Sequence, residues 1–286
     1  MIENLPSVTA MAVSFARGLS GAGTGGVRDP LASVLLPGPI GGLLRGLERL
    51  TQASPRLERV MGIVTLGLVD HAGLRTEAID RAVQEGVALG ARQLVLVGAG
   101  LDARAHRLRG LSDVDVFEVD HPTTQGLKRS KAGRLPASCK SIAYVSVDFG
   151  KESVEAKLLE AGYRPKVPTV FVWEGVTMYL PAEATRATLA TLAKCAAKGS
   201  TLAMTYVEPK LATIHRSFRP AVLSMFALVG EPVIGQITRT DVAALLREHG
   251  FTPVDDSGTH DWVERHGRGE KPPIGLHERL VVARKA

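Results

Sequence analysis

Leu94-Val95-Leu96-Val97-Gly98-Ala99-Gly100-Leu101-Asp102 is the most informative segment of the sequence. It begins with an apolar run, and two glycines follow that run directly. A second apolar run, Val116-Phe117-Glu118-Val119-Asp120, follows and ends in a carboxylate. In a β-α-β unit, this order of strand, glycine turn, second strand and acid holds a nucleoside, with the acid on the ribose hydroxyls. Ala103 stands where a dinucleotide turn has its third glycine, so a pyrophosphate cradle is not favoured.

The two glycines have an alternative role. Gly98 and Gly100 would also permit tight packing between a strand and a helix, with no ligand involved. Asp120 favours the nucleoside interpretation, because it lies twenty residues beyond Gly100, within the usual spacing for a ribose acceptor. A solvated acid in a turn is its alternative.

Length and composition predict one α/β domain with an elaboration. The chain has 286 residues, of which 45% are hydrophobic and only 5% aromatic. A large core of Val, Leu, Ile and Ala is therefore expected.

The charge pattern predicts a small-molecule partner rather than nucleic acid. The net charge is +6, but 35 basic residues are scattered among 29 acidic ones. The densest cluster, Lys128-Arg129-Ser130-Lys131, has no interleaved aromatic residues on which bases could stack. A positive field of this kind can attract an anionic small substrate.

The sequence argues against several classes of protein. The two cysteines, Cys139 and Cys195, have neither the number for a disulfide framework nor the spacing of zinc ligands. His260 and His266 have no third ligand nearby, so no metal site is expected. The apolar stretch 8–16 is too short for a signal peptide or a membrane span, which predicts a cytoplasmic protein. No serine-hydrolase elbow or phosphate loop occurs.

Hydrophobic periodicity divides the chain into a helical N-terminal layer and an alternating α/β part. Leu43–Val60 is expected to be one helix with Leu43, Leu44, Leu47 and Leu50 on one face, after a stop at Pro37 and Pro39. Further helices are expected at 7–19, 76–90, 121–133, 151–161 and 181–198, and strands at 93–98, 114–119, 141–147, 168–173 and 200–206.

The pattern changes after residue 206. Residues 209–236 are predicted to form an apolar lid insertion, and Asp241–His249 a helix closed by Gly250. Two late strands, at 251–257 and 277–284, are predicted to form an antiparallel hairpin around a polar loop at 258–276. The fold class is therefore a doubly wound, mostly parallel seven-stranded sheet, with a helical cover at 1–75 and the main domain at 76–286.

Four motifs in order carry a resemblance to a known family. The sequence resembles the leucine carboxyl methyltransferase family, which uses S-adenosylmethionine. The matching segments are Val95–Leu108, Phe117–Pro122, Val147–Phe149 and Val170–Leu180, supported by Arg28–Leu31 and Glu278–Arg284. The resemblance runs from about Ser7 to Arg284 and implies a class I, Rossmann-like methyltransferase.

The resemblance also implies a set of cofactor-binding residues. Arg75, placed just before a helix, would hold the cofactor carboxylate, and Glu174 would face its amino end. Gly98 and Gly100 would admit the methionine part, and Asp120 would accept from the ribose. Asp148 and Phe149 would hold the adenine. The alternatives are a surface position for Arg75, a solvated turn for Glu174, and for Asp148 a cap on a helix that starts near Lys151.

One departure from the family concerns the first helix. Characterised protein-modifying members have a cofactor-contacting lysine there, whereas Arg17 is the nearest cation here. This departure weakens the match to a protein substrate.

The expected reaction is O-methylation of a carboxylate or phenolic hydroxyl on a small metabolite. No catalytic residue is identified, because an ionised carboxylate needs no general base. A phenol would need one, for which Tyr206 and His215 are weak candidates, and Arg216 and Arg219 could bind an acidic substrate. An NAD-dependent dehydrogenase and a non-catalytic cofactor-binding protein are the alternatives.

Overall fold

The computed structural model describes residues 7–20, 27–65, 67–149, 151–212, 233–266 and 276–286. A seven-stranded sheet in the order β3-β2-β1-β4-β5-β7-β6 forms its centre. The strands are β1 (Gln93–Val97), β2 (Asp115–Asp120), β3 (Ser141–Ser146), β4 (Thr169–Trp173), β5 (Thr201–Ala212), β6 (Phe251–Gly258) and β7 (Leu276–Lys285). Only β7 runs antiparallel to its neighbours, which confirms the doubly wound, mostly parallel sheet.

Helices lie on both faces of the sheet and in a layer before it. They are α1 (Val8–Leu19), α2 (Ala32–Leu35), α3 (Gly38–Ala53), α4 (Pro55–Val64), α5 (Leu68–Ala88), α6 (Arg104–Arg107), α7 (Pro122–Ala132), α8 (Val154–Glu160), α9 (Ala182–Cys195), α10 (Arg239–Glu248) and α11 (Thr259–His266), with a 3-10 turn at Thr177–Tyr179. Within these described ranges, no helix combines the length and the apolar character that crossing a bilayer requires.

The core has three parts, one on each face of the sheet and one in the N-terminal helical layer. Every residue of β1 and β4 is buried, as their continuous apolar runs predict. One face packs against α8, α9 and α10, and the other against α5, α6 and α11. A third cluster joins α1, α2 and α3 to Leu101 and Ala103, directly after the glycine turn. The N-terminal layer therefore packs where β1 ends.

The helix expected at Leu43–Val60 is wrong in its bounds. Two helices, α3 and α4, replace it and meet at Ser54, the residue before Pro55, where the proline restricts the preceding backbone. Pro39 does not stop a helix but lies in the first turn of α3, where its missing N–H costs nothing. Leu43 and Leu50 are 60% and 56% exposed, so they do not share a buried face with Leu44.

The helix expected at 76–90 begins earlier, at Leu68, so Arg75 lies inside α5 rather than before it. The first turns of α5 carry buried polar side chains, including His71 and Arg75, which hide the apolar periodicity from the sequence. The expected domain boundary at residue 75 falls within this helix.

The C-terminal region differs in two further places. The expected polar loop at 258–276 contains α11, whose first turn is stabilised by a hydrogen bond from the Gly258 N–H to Asp261 Oδ2 at 2.7 Å. Strand β5 continues past residue 206 to Ala212, and residues 213–232 of the expected lid insertion lie outside the described residues. The two late strands pair antiparallel as predicted, and β7 also pairs with β5.

Candidate functional site

The glycine turn after β1 requires its glycines. Gly98 and Gly100 have φ angles of 70° and 49°, in the left-handed region that other residues adopt at a cost. A Cβ on Gly98 would lie 2.5 Å from Val176 Cγ2, and one on Gly100 would lie 3.2 Å from the Ala10 Cβ of α1. The packing role of both glycines is therefore present in the structure, and it brings the β4–α9 loop and α1 over the turn.

Asp120 ends β2 and organises this turn. Its carboxylate accepts hydrogen bonds from the Gly100 N–H and, at 2.6 Å, from the His121 N–H. Burial raises the pKa of Asp120, although the two amide donors oppose the shift. The acid is a structured part of the turn rather than a solvated residue.

A cavity of about 780 Å³ opens beside the turn, at the carboxyl ends of β1, β2 and β4. Its volume is in the range of small-molecule sites, and its position is the one where α/β sheets bind ligands. Helix α1 and the β4–α9 region both supply lining residues. The lining includes Arg17, Arg75, Gly98, Asp120, Phe149 and Glu174.

Glu174, directly after β4, is surrounded by three arginines. Its Oε1 lies 2.5 Å from Arg17 Nη2 and 2.9 Å from Arg75 Nε, and its Oε2 lies 2.9 Å from Arg104 Nη1. Burial alone would favour the neutral acid, but the three guanidinium groups outweigh it and hold the pKa of Glu174 well below its usual range. Glu174 is therefore an ionised, buried carboxylate at the cavity wall.

The network of charges continues away from the cavity on both sides. Arg104 is fully buried and also contacts Asp80, with Nε 2.7 Å from Oδ1, and Asp102. Arg75 Nη1 lies 2.6 Å from Glu278 Oε2, on β7. Each buried charge thus has at least one opposite partner, as low dielectric surroundings require.

Sequence reasoning misses most of this network. It does not single out Asp80, Asp102, Arg104 or Glu278 as site residues, and it identifies Arg17 only as the nearest cation. One available signal is Asp102-Ala103-Arg104, which carries two charges directly after the glycine turn. The remaining partners are separated along the chain, so no spacing rule connects them.

Of the two expected adenine-binding residues, only Phe149 lines the cavity. Phe149 is 43% exposed and lines the cavity, whereas Asp148 is not among the lining residues and lies 3.0 Å from Lys151 Nζ. The alternative role of Asp148 as a helix cap is wrong, because α8 begins at Val154 and Ser153 accepts the capping hydrogen bond from Ala156 N–H.

Of the weak substrate-site candidates the structure describes only Tyr206, which does not line the cavity. Tyr206 is buried and its hydroxyl donates to Asp256 Oδ2 at 2.8 Å, on the side of β6. His215, Arg216 and Arg219 lie outside the described residues. Across the part of the chain that the structure describes, no group of three or more His, Cys, Asp or Glu residues could hold a metal ion.

Comparison with known sequences gives a family. The model of the family described as "Leucine carboxyl methyltransferase" matches residues 10–193, more than half of the chain. A protein from Streptomyces coelicolor named "Putative S-adenosyl-L-methionine-dependent methyltransferase" is 34% identical over 228 residues, which cover 76% of this chain and 74% of that protein.

Comparison with solved structures supports the fold. A duf574 family protein from Streptomyces avermitilis aligns with a TM-score of 0.61 at 16% identity, over 96% of this chain and 97% of its own. Magnesium protoporphyrin IX methyltransferase from Synechocystis PCC 6803, with bound SAH, aligns with a TM-score of 0.50 at 15% identity, over 77% and 87% of the two chains.

Proposed function

Because the chain belongs to the leucine carboxyl methyltransferase family and is an S-adenosylmethionine-dependent methyltransferase, we propose that it methylates a carboxylate oxygen of a small metabolite. The donor supplies a methyl group on a sulfonium, which an oxygen nucleophile can displace in line. The observation that carries the donor-binding part of the proposal is the Arg17–Glu174–Arg75 arrangement beside the glycine turn.

The charges at this end of the cavity suit the amino acid part of the donor. That part is a zwitterion, so it needs a cationic partner for its carboxylate and an anionic one for its ammonium. Arg17 and Arg75 would hold the carboxylate, and Glu174 the ammonium. Arg17 lines the cavity, and its buried Nε has no hydrogen-bond acceptor in the structure, which supports an anionic ligand here.

The other end of the cavity suits the nucleoside. Asp120 would accept from the ribose hydroxyls, next to the close backbone approach at Gly98 and Gly100. Phe149 would pack against the adenine, and Asp148 would reach its amino group only if the loop before α8 turned inward. The partly exposed Phe149 ring supports the first of these placements.

A carboxylate acceptor fits the described lining of the cavity. Among the described lining residues the only histidine is His121, which adjoins Asp120 at the nucleoside end, and there is no lysine or cysteine. A metabolite carboxyl with a pKa near 4 is already ionised at neutral pH and needs no base. A phenol would need one, and Tyr206 is poorly suited because burial raises its pKa and Asp256 holds its hydroxyl.

The protein would accelerate the transfer mainly by orientation. Helix α1 lies across the cavity, with Ala10, Val13 and Arg17 in its wall, and would keep water from the sulfonium. Holding two reactants in line can contribute up to about 7–11 kcal/mol.

Transfer of a radioactive methyl group to candidate metabolites tests the proposal. A carboxyl methyl ester releases volatile methanol in alkali, whereas a phenolic methyl ether does not. We expect labelled product whose label becomes volatile after alkaline treatment. A labelled product stable to alkali would replace the carboxylate acceptor with a phenol. Absence of donor binding by calorimetry at high micromolar concentration would remove the cofactor assignment.

A further inference from the structure

Arg75 lines the cavity and also pairs with Glu278, a buried residue that does not line it. Glu278 Oε2 lies 2.6 Å from Arg75 Nη1 and 2.7 Å from His71 Nε2. The other ring nitrogen of the same histidine, Nδ1, lies 2.8 Å from Thr259 Oγ1. All four side chains are buried, and they come from α5, β7 and the start of α11.

The chain of contacts fixes where His71 must carry a proton. An ionised carboxylate only accepts, so Nε2 must be protonated and donates to Glu278, while Nδ1 lies against the Thr259 hydroxyl, which can donate or accept. Trp262 packs against the ring, with centroids 5.7 Å apart, and fixes its orientation. His71 therefore orients one oxygen of Glu278 toward Arg75.

Glu278 is poorly explained as a stabilising residue alone. Its second oxygen, Oε1, is buried and has no hydrogen-bond partner, and a half-satisfied buried carboxylate costs free energy. Its ionised form is nevertheless maintained: burial opposes ionisation, but Arg75 and His71 lower the pKa of Glu278 to about 2. A permanent negative charge is thus kept directly behind the arginine.

The charge of Glu278 keeps Arg75 from pairing with Glu174 alone. Arg75 also lies 2.9 Å from Glu174, and with no second anchor its guanidinium could turn fully onto that carboxylate. Glu278 engages Nη1 and leaves Arg75 shared between two acids. A shared arginine can accept an incoming carboxylate without leaving its place.

We propose that Glu278 and His71 are positioning residues that hold Arg75 for the carboxylate of the methyl donor. This inference rests on the proposed function, since it assigns them to the amino acid half of that ligand. They should determine affinity for that half and leave binding of the nucleoside half unchanged.

Two probes separate the halves. S-adenosylhomocysteine contains both, whereas 5′-methylthioadenosine has the same nucleoside and sulfur but no amino acid. In Glu278→Gln we expect the Kd for S-adenosylhomocysteine to rise about tenfold or more, because a charge-assisted contact is weakened. The Kd for methylthioadenosine should change by less than about twofold. Calorimetry on the full chain measures both.

Glu248→Gln is the matched control. Glu248 forms an exposed ion pair with Arg186 at 2.5 Å, neither residue lines the cavity, and loss of the pair should alter neither affinity. An equal loss of both probes in Glu278→Gln would show a general structural role and overturn the proposal. Unchanged affinity for both would overturn it as well.

Variants at His71 keep the test decisive if Glu278→Gln does not fold. His71→Phe preserves the ring packing but removes the donor to Glu278, whereas His71→Gln can keep a donor near the Nε2 position. We expect selective loss of S-adenosylhomocysteine affinity in the first and partial recovery in the second. Equal affinities in the two variants would overturn the proposal. Failure of the donor-site assignment, on which the proposal rests, would differ because the wild-type protein would then bind neither probe.

Discussion

Buried charges in this protein occur in groups because none could be buried alone. Arg104 is fully buried and meets Asp80, Asp102 and Glu174 together. Lys128, which the sequence places in a basic cluster, is also buried, with its Nζ 2.6 Å from Glu118 Oε2. An isolated ionisable group would instead become neutral, an acid by gaining a proton and an amine by losing one, or remain in water. A basic cluster in a sequence therefore does not identify a solvated surface.

Asp120→Asn tests the acid at the end of β2. The carboxylate accepts two backbone hydrogen bonds, and the amide offers only one acceptor oxygen, so the turn itself should also weaken. We expect the Kd values for S-adenosylhomocysteine and methylthioadenosine to rise together, by about tenfold. The free energy of unfolding should fall by about 1–3 kcal/mol. Calorimetry and urea denaturation measure the two effects, and unchanged affinity for both ligands would contradict a nucleoside role.

The pH dependence of stability tests Glu278. Its pKa is about 2 in the folded protein against an ordinary 4.5, so its ionisation stabilises the fold above pH 4.5 and this contribution is lost as the pH falls toward 2. The stability advantage of the wild type over Glu278→Gln should narrow by about 1.4 kcal/mol between pH 6 and pH 3.5. Urea denaturation at the two pH values measures it. A constant difference would mean that folding does not lower the pKa of Glu278.

Individual site residues are predictable where they end a strand. Gly98, Asp120 and Glu174 each follow a buried strand, and parallel strands bring their carboxyl ends to one edge. Arg75 is found only through the family resemblance, because nothing in the helical pattern of α5 marks it. The roles of Glu278 and His71 cannot be predicted from the sequence, because their pairing depends on α5 packing against β7.

Among the elements, strands are predicted better than helices. The sequence predicts all seven strands of the sheet, and the prediction is clearest for β1 and β4, whose continuous apolar runs are typical of strands buried on both faces. The helical cover is harder to predict. Helix α3 has an apolar sequence but exposes part of it, and α11 is predicted as a loop because its eight residues are mostly polar.

Helix α3 offers two neighbouring leucines that test which face is buried. Leu44 is fully buried in the cluster formed with α1 and α2, while Leu43 is 60% exposed. Leu44→Ala should lower the free energy of unfolding by about 2–5 kcal/mol through lost burial and a cavity. Leu43→Ala should change it by less than about 0.5 kcal/mol. Denaturant unfolding compares them, and equal losses would contradict the orientation of α3.

The glycine turn can be tested against a second glycine with the same backbone requirement. Gly110 has a φ of 90° but no atom within 4 Å of an added Cβ, whereas an added Cβ on Gly98 would lie 2.5 Å from Val176 Cγ2. Gly110→Ala should cost about 1–2 kcal/mol of stability and leave ligand affinity unchanged. Gly98→Ala should also displace the β4–α9 loop and weaken S-adenosylhomocysteine binding. Equal affinities in the two variants would show that the turn tolerates the displacement.

Helices and strands that are distant in sequence come together around the cavity. Arg17 of α1 reaches Glu174 after β4, and Glu278 of β7 supports Arg75 of α5. The helical cover is thus tied to the sheet by the same charges that would receive the ligand. The packing of Ala10 over Gly100 adds a second attachment.

This arrangement predicts that the ligand protects α1 from amide exchange. Helix α1 forms a wall of the cavity, and we expect ligand release to require movement of this helix, whereas no residue of α3 lines the cavity. At 100 times its Kd, a ligand adds about 2.7 kcal/mol to any opening that releases it. Amides in α1 that exchange through that opening should therefore slow by about a hundredfold with S-adenosylhomocysteine, while exchange in α3 changes much less. Hydrogen-exchange mass spectrometry separates the two helices. Protection of the turn at residues 98–101 with no slowing in α1 would show that ligand release does not require α1 to move.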